Sequence, residues 1–454
     1  MISPSRTSVR MPSRRRQAPI ALRLVIGLAL LITIGTLTLM LPWMATSEPL
    51  TWNEALFTAV SALSVTGLSI ITPVSDLSLA GKIVLLALIQ TGGVGFMVVA
   101  VIAFQLLGRR VSLTDRLALT DSMGLLVPGA IVQLVRRVLL TVVLIEAVGA
   151  GFLWIHWHNE LGTQRALLYA LFHAVSAFCN AGFDLFSGLP QYPYGIPNDS
   201  VTLAILGALI FLGGLGIPVL AELLAFWRAR TFSLHTRITL VVVVVLVLVG
   251  GLGLFLAERQ PGRVMASEPL HRQAILAIFQ SISARTAGFG GLQPFSALSP
   301  ASQILTIALM FIGCAPASMG GGITTGTFAV LMLAVGAYAR GLPSPQIGGR
   351  TLAPQTVRKA AAVLTVSLLV VLLATWLILI THDASLDEAL FEVASAFATC
   401  GLSLAFTGKL NLFGQLIICI MMFWGRLGAL TLVLALANQR PQLVAYPEEQ
   451  VLIG

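Results

Sequence analysis

Charge is scarce in this chain. Of 454 residues only 10 % are acidic or basic, while 57 % are hydrophobic and the mean hydropathy is +0.93. Soluble domains carry about 25 % charged residues, so this composition excludes a water-soluble protein. Cysteine is scarce as well. Cys179, Cys314, Cys400 and Cys419 lie in apolar or glycine-rich surroundings, with neither metal-ligand spacing nor a disulfide framework, and read as small buried residues. The six histidines are scattered, mostly near the ends of apolar runs, and form no set with a nucleophile or a metal cluster. A membrane enzyme would need such a set. No Walker motif and no glycine fingerprint between a strand and a helix is present, so no nucleotide site or other cofactor is expected in this chain.

Long apolar runs are abundant. "IALRLVIGLALLITIGTLTLMLPW" and "ITLVVVVVLVLVGGLGLFLA" are two of several that reach the roughly 20 residues needed to cross a bilayer. The basic start "MISPSRTSVRMPSRRRQ" precedes a run too long for a signal peptide and without a small-residue cleavage site. That run is expected to stay as a first span.

The polar interruptions repeat. "SALSVTGL" at Ser61 returns as "SAFCNAGF" at Ser176, as the shorter "SARTAGF" at Ser283 and as "SAFATCGL" at Ser395. Their glycines are Gly67, Gly182, Gly288 and Gly401. Phe57, Phe172 and Phe391 stand ten residues before the glycine and Phe279 nine. Downstream lie "QTGGVGF", "FLGGLGI", "FIGCAPA" and "FWGRLGA". The unit is one long span, one short helix, a loop and a second long span. It occurs four times, in residues 20–110, 111–230, 231–340 and 341–440, between a basic tail (1–19) and a C-terminal tail (441–454). The fold class expected is an all-α integral membrane protein with eight transmembrane helices around a pseudo-fourfold central pore.

The short helix cannot span. From Thr51 to Leu63 it reaches about 20 Å, against a core of about 30 Å. Capping boxes at Thr51-x-x-Glu54 and Ser385-x-x-Glu388 mark two of its starts, and Pro269 a third. A helix that stops mid-membrane and is followed by irregular backbone is tolerable only where it is buried in protein or lines water. Most of the 27 lysines and arginines fall on the side holding both termini and the links between units, which makes that side cytoplasmic. Acids gather on the other side, among them Glu54, Asp76, Asp184, Asp387 and Glu392, an acidic outer mouth that favours cations. Units with an even number of crossings share one orientation, so four loops form a ring. The expected filter is Val65, Thr66 and Gly67; Asn180, Ala181 and Gly182; Thr286, Ala287 and Gly288; and Thr399, Cys400 and Gly401. There carbonyls would replace an ion's hydration shell. Each of these glycines follows a short helix instead of lying within a span, which sets them apart from glycines of helix packing.

These motifs resemble the pore subunit of the Trk/Ktr/HKT superfamily of potassium transporters. The resemblance covers essentially the whole chain and extends to "PASMGGGITT" and "GRLGALT". With no further pair of spans ahead of the first unit, the chain is more similar to the Ktr-type subunit. In the superfamily a serine at the first filter glycine goes with sodium permeation, so four glycines imply potassium selectivity. The resemblance also implies a homodimer and a cytosolic ring of nucleotide-binding regulatory subunits. Those would dock on the basic inner loops and on "PQLVAYPEEQVLIG", in the inner membrane of a bacterium. No nucleic-acid partner is expected.

Departures from the repeat point to a gate. Arg426 stands where the other units have glycine or cysteine. A guanidinium there either repels a cation on the pore axis or pairs with helix-end carbonyls or an acid. "CAPASMGGGITTG" must break the third unit's second span, through Cys314, Pro316, Gly320, Gly321, Gly322, Thr324, Thr325 and Gly326. On the residues alone this is a gate or a packing kink; in the superfamily it is the loop that blocks the pore under the filter. Glu146 reads as a structural hydrogen-bond partner, Arg285 as a brace against Asp184 or Glu392, and His173, at the position held by Thr58 and Glu392 in other units, as packing. The competing function, an alternating-access cation transporter, calls for inverted repeats and paired intramembrane acids. This chain has parallel repeats and the isolated Glu146. The sequence leaves open whether uptake is coupled to sodium or to protons, with sodium as a candidate coupling or activating ion.

Overall fold

The computed structural model describes residues 20–95 and 131–428. Both tails, the link from 96 to 130 and the C-terminal contact segment expected at "PQLVAYPEEQVLIG" lie outside those residues. The described chain is helical, with one short antiparallel hairpin of β1 (Gln346–Ile347) and β2 (Arg350–Thr351). Among the described residues four helices are long and apolar enough to cross a membrane: α1 (Ile20–Leu39), α4 (Ile131–Leu161), α8 (Leu234–Glu258) and α12 (Pro354–Thr381). They expose large apolar side chains, for example Leu37 at 62 %, Leu248 at 59 % and Leu369 at 62 %. A contiguous apolar exterior of this kind needs lipid around it.

Against each long helix packs a short one: α2 (Trp52–Ser64), α5 (Thr163–Phe178), α9 (Leu270–Ser283) and α13 (Leu386–Ala398). At 13 to 16 residues they reach roughly 20–24 Å, too short to span. Their starts are fixed as the sequence indicates. Glu54 accepts hydrogen bonds from Thr51 N (2.9 Å) and Oγ1 (2.6 Å), and Glu388 from Ser385 N (3.2 Å). The Lys409 ammonium, 2.9 Å away, holds the Glu388 carboxyl below its ordinary value. Pro269 occupies the N-cap of α9; its first helical residue is Leu270.

The second helices depart from expectation. α3 (Leu79–Val94), α6 (Ser200–Gly214), α10 (Pro300–Ile312) and α14 (Leu412–Leu427) all stop at 13 to 16 residues. The sequence led us to expect a break only in the third. Instead α3 ends at Gly95 (φ 95°) and α14 at Gly428 (φ 85°). After Gly216 (φ 87°), the chain turns by 105° into α7 (Ile217–Ala229). A positive φ at glycine costs no Cβ clash, and Pro218 in the first turn of α7 lacks the N–H that would continue α6. The third unit breaks more widely, from Gly313 to Thr324, before α11 (Thr325–Ala339) resumes. Thr325 and Gly326, expected in that loop, are therefore helical.

Packing closes on itself. α3 lies on α5, α6 on α9, α10 on α13, and α14 on α2, so the last second helix covers the first short one. Paired glycines allow close approach within and between units. A methyl on Gly93 would strike the Cys179 side chain of the next unit, whereas one on Gly92 would strike the Leu63 carbonyl and one on Gly213 the Phe178 carbonyl, each in its own unit. Small residues at such crossings let backbones touch.

Candidate functional site

The C-termini of the four short helices converge on the four sequence-matched glycines. Gly67, Gly182, Gly288 and Gly401 have φ of 89°, 69°, 77° and 92°. A side chain on Gly67 would collide with Ala181 O, one on Gly182 with Ala287 O, one on Gly288 with Cys400 O, and one on Gly401 with Thr66 O. The contacts run in chain order and close, so the loops form one ring with the carbonyls of Thr66, Ala181, Ala287 and Cys400 at its rim. Two residues before each glycine, Val65, Asn180, Thr286 and Thr399 also adopt the left-handed region, at 54°, 55°, 73° and 51°. For β-branched residues this conformation costs about 1–2 kcal/mol, a strain the ring contacts hold in place.

The loop donors turn away from the ring. Thr66 N donates to Ser61 O (2.8 Å), Ala181 N to Ser176 O (2.7 Å), Ala287 N to Ser283 O (2.9 Å) and Cys400 N to Ser395 O (2.8 Å). Gly67 N and Gly401 N donate to the hydroxyls of Ser61 and Ser395, each at 3.0 Å. In the other two loops the matching serines donate onward, Ser176 to Phe183 O (2.7 Å) and Ser283 to Phe289 O (2.6 Å). The short helices' last carbonyls thus absorb the N–H groups. Among the described residues no hydrogen bond reaches the carbonyls of Thr66, Ala181, Ala287 or Cys400. A ring of unpaired acceptors with its donors withdrawn is an electronegative site suited to a desolvated cation. The helices' negative dipole ends point the same way.

A second set of braces occupies a position that the sequence aligns at Thr58, His173 and Glu392 without showing that it braces anything. The residue after each matched phenylalanine is Thr58, His173, Gln280 or Glu392, all fully buried. Three of them hold the segment leaving the ring. His173 Nε2 accepts from Leu185 N (3.3 Å), while its Nδ1 faces Tyr169 O (2.7 Å), so the ring is neutral and Nδ1 donates. Gln280 Oε1 accepts from Gly291 N (2.8 Å). Glu392 accepts from Ser403 Oγ (2.7 Å) and Thr407 Oγ1 (2.5 Å). The shared position after phenylalanine is legible for Thr58, His173 and Glu392; Gln280 and the bracing role were missed, because four unlike side chains suggest no common task, and His173 does more than pack. Glu392→Ala is expected to destabilise the protein by roughly 2–3 kcal/mol, because two hydroxyls lose their acceptor in a buried place. Glu392→Gln keeps one acceptor and gains a donor, and should lose less than half as much. Thermal unfolding of both in detergent micelles checks this.

Beyond the ring, on the side of the residues that follow the glycines, opens a cavity of about 300 Å³. Hydroxyls of Ser69, Thr72, Ser187, Ser403 and Thr407 line it, with one acid, Asp184. Of the acids expected on the outer side, Asp184 lines this cavity, and Asp76 accepts from the amide of Thr72 at its wall (2.8 Å). Glu392 is buried behind the loop, and Glu54 caps a helix.

Against the opposite side of the ring lies the 313–324 loop. A side chain on Gly320 would meet Thr286 and one on Gly321 Thr399, so the loop's glycines touch two of the strained residues. Backbone bonds tie it down: Ala315 N to Gly214 O (3.1 Å), Ile217 N to Ala317 O (3.0 Å), and Thr325 N to Cys314 O (2.9 Å). The Cys314 thiol donates to Arg285 O (2.8 Å), and Thr324 caps α11. Arg426 reaches across to the carbonyls of Met319, Gly92 and Gly93 (3.1 Å for the last), joining α14, the loop and the end of α3. Of the expected gate residues, Cys314, Pro316, Gly320, Gly321, Gly322, Thr324 and Arg426 are brought together; Met319 was missed. Arg285 pairs with neither Asp184 nor Glu392. Its Nη2 donates to Gly313 O (3.2 Å), and Asp184 is taken up by Phe186 N and Ser187 N. Glu146 accepts from Gln90 Nε2 (3.2 Å), the structural bond expected of it.

A membrane-embedded helical ring that presents bare carbonyls suits a cation, and the family and relatives of this chain are transporters, not enzymes. The chain is a member of the TrkH family, described as cation transport protein, whose model matches residues 23–445. It is 39 % identical over 404 residues to the Ktr system potassium uptake protein B of Vibrio alginolyticus, covering 88 % of each chain. To the protein of the same name from Bacillus subtilis it is 35 % identical, over 95 % of this chain and 96 % of the relative. To the potassium/sodium uptake protein NtpJ of Enterococcus hirae it is 32 % identical, over 97 % and 98 %. The crystal structure of the potassium transporter TrkH from Vibrio parahaemolyticus superposes with a TM-score of 0.73 at 19 % identity, over 94 % of this chain and 87 % of that one. That likeness concerns the fold.

Proposed function

We propose that this chain takes up potassium across the bacterial cytoplasmic membrane through one central pore. The filter is formed by Val65–Gly67, Asn180–Gly182, Thr286–Gly288 and Thr399–Gly401, and the gate by the loop from Cys314 together with Arg426. The cyclic closure of four glycines around carbonyls without hydrogen bonds carries the reading. Relatives named for potassium uptake supply the substrate, and one named for potassium and sodium makes sodium the coupling or activating ion to test. In this reading the four units 20–110, 111–230, 231–340 and 341–440 each contribute two crossings, the second needing more chain than α3, α6, α10 or α14 supplies alone. Eight spans leave both termini cytoplasmic, in agreement with the charge bias. The chain works as a homodimer under a cytosolic nucleotide-binding ring that docks on the basic inner loops.

The test is uptake of radioactive rubidium by proteoliposomes of the purified chain, alone and with the candidate regulatory ring. Potassium should compete strongly and sodium weakly. Absence of flux under both conditions, or equal competition by the two ions, would sink the proposal.

A further inference from the structure

Away from the ring, a cleft of about 720 Å³ opens between α8, α11 and the β1–β2 hairpin. Its walls are apolar, Val241 from α8 and Phe328, Met332 and Leu333 from α11, and its mouth carries Arg237 and Arg350. Val241 is 62 % and Met332 51 % exposed, so the cleft opens sideways, toward the surface that faces hydrocarbon. Among the described residues neither arginine forms an ion pair. Glu222, midway along α7, accepts from the amide of Ser233, a lining residue, at 2.9 Å. α8 starts at Leu234 and has 25 residues, about 37 Å against a core of about 30 Å. Arg237, in its first turn, therefore sits at headgroup depth. Arg340 and Lys359 flank the same end of the bundle.

We propose that this cleft binds an anionic phospholipid of the leaflet on the arginine-rich side, its phosphate between Arg237 and Arg350 and an acyl chain along Val241, Phe328 and Met332. The volume lies within the range of about 300–1,000 Å³ typical of small-molecule pockets. Guanidinium groups suit phosphate oxygens, through paired donors and permanent charge. Basic pockets between membrane helices are a recurrent form of headgroup recognition. The two components belong together: an ion without a tail leaves the apolar walls bare, and a zwitterionic lipid brings its own ammonium beside two cations. The occupant would also brace α11. That helix leads directly out of the 313–324 loop, so lipid identity reaches the backbone beneath the ring.

Native mass spectrometry of the purified full chain tests this, with phosphatidylglycerol, phosphatidylcholine and glycerol 3-phosphate added separately. Phosphatidylglycerol should be retained at about thirtyfold lower concentration than phosphatidylcholine, the size set by two guanidinium contacts to an anionic surface. Arg237→Ala with Arg350→Ala should erase that advantage. Met332→Trp, which fills the cleft and keeps both charges, should also lower retention. Equal retention of the two lipids by the native chain overturns the proposal, as does a double arginine variant that still prefers phosphatidylglycerol. Glycerol 3-phosphate binding as tightly as the lipid would make this an ion site and overturn it too. The readout is lipid retention, so its failure leaves the transport reading standing, and a failure of rubidium uptake leaves this one standing.

Discussion

Gly67→Ser is expected to lower the preference for potassium over sodium by roughly tenfold to a hundredfold in rubidium competition assays, with the protein still folded. The position has φ 89°, a region that L side chains rarely adopt, and the added Cβ would strike Ala181 O. Holding a non-glycine residue there costs about 1–3 kcal/mol, which at about 1.4 kcal/mol per factor of ten gives that range. Relief comes by displacing the Ala181 carbonyl, because the Gly67 amide is already tied to Ser61 Oγ. A ring that loses one carbonyl from its rim coordinates a dehydrated ion less completely. The smaller, more strongly hydrated sodium, which can pass with part of its water, then gains relative to potassium. Unchanged competition in Gly67→Ser would mean that ion discrimination lies elsewhere in the chain.

The serine's strain also explains what sequence could and could not disclose. The short helices were legible because their signals are local: a capping box at Thr51 and at Ser385, a proline at 269, and a glycine at fixed distance from a phenylalanine. The left-handed residues two positions before each glycine were not. Val65, Asn180, Thr286 and Thr399 share no propensity for that conformation, and for valine it is unfavourable. Contact around the ring imposes it. The helix ends at Gly95, Gly216 and Gly428 were missed for a related reason. "GGVG", "GGLG" and "GRLG" combine two tasks: Gly92, Gly93 and Gly213 allow close packing, while the last glycine of each takes the positive φ that ends the helix. Spacing signals packing and termination alike, and only the neighbours decide which. Arg285 and Arg426 show the same dependence over longer range. Each was visible as a costly charge in an apolar setting, but the carbonyls they reach belong to Gly313, Met319 and Gly92, partners distant in sequence that no local pattern names.

Arg426→Ala is expected to raise rubidium flux, by a hundredfold or more where the closed state dominates. The side chain contributes in two ways that act in the same direction. Its charge opposes a cation approaching within about 4 Å by roughly 4 kcal/mol at an effective dielectric of about 20, nearly three factors of ten. Its hydrogen bonds fasten Met319 in the loop to Gly92 and Gly93 at the end of α3, so their loss frees the segment whose Gly320 and Gly321 rest on Thr286 and Thr399. Arg426→Lys separates the two contributions. The ammonium keeps the repulsion but cannot span three carbonyls with a planar fork. If tethering is the larger part, the lysine variant should leak nearly as fast as the alanine one. If charge is, it should stay close to the native rate. A third outcome, in which both variants lose flux and unfold at lower temperature, would make Arg426 a structural clamp and remove it from the gate. Flux measured beside thermal unfolding in the same preparations distinguishes all three.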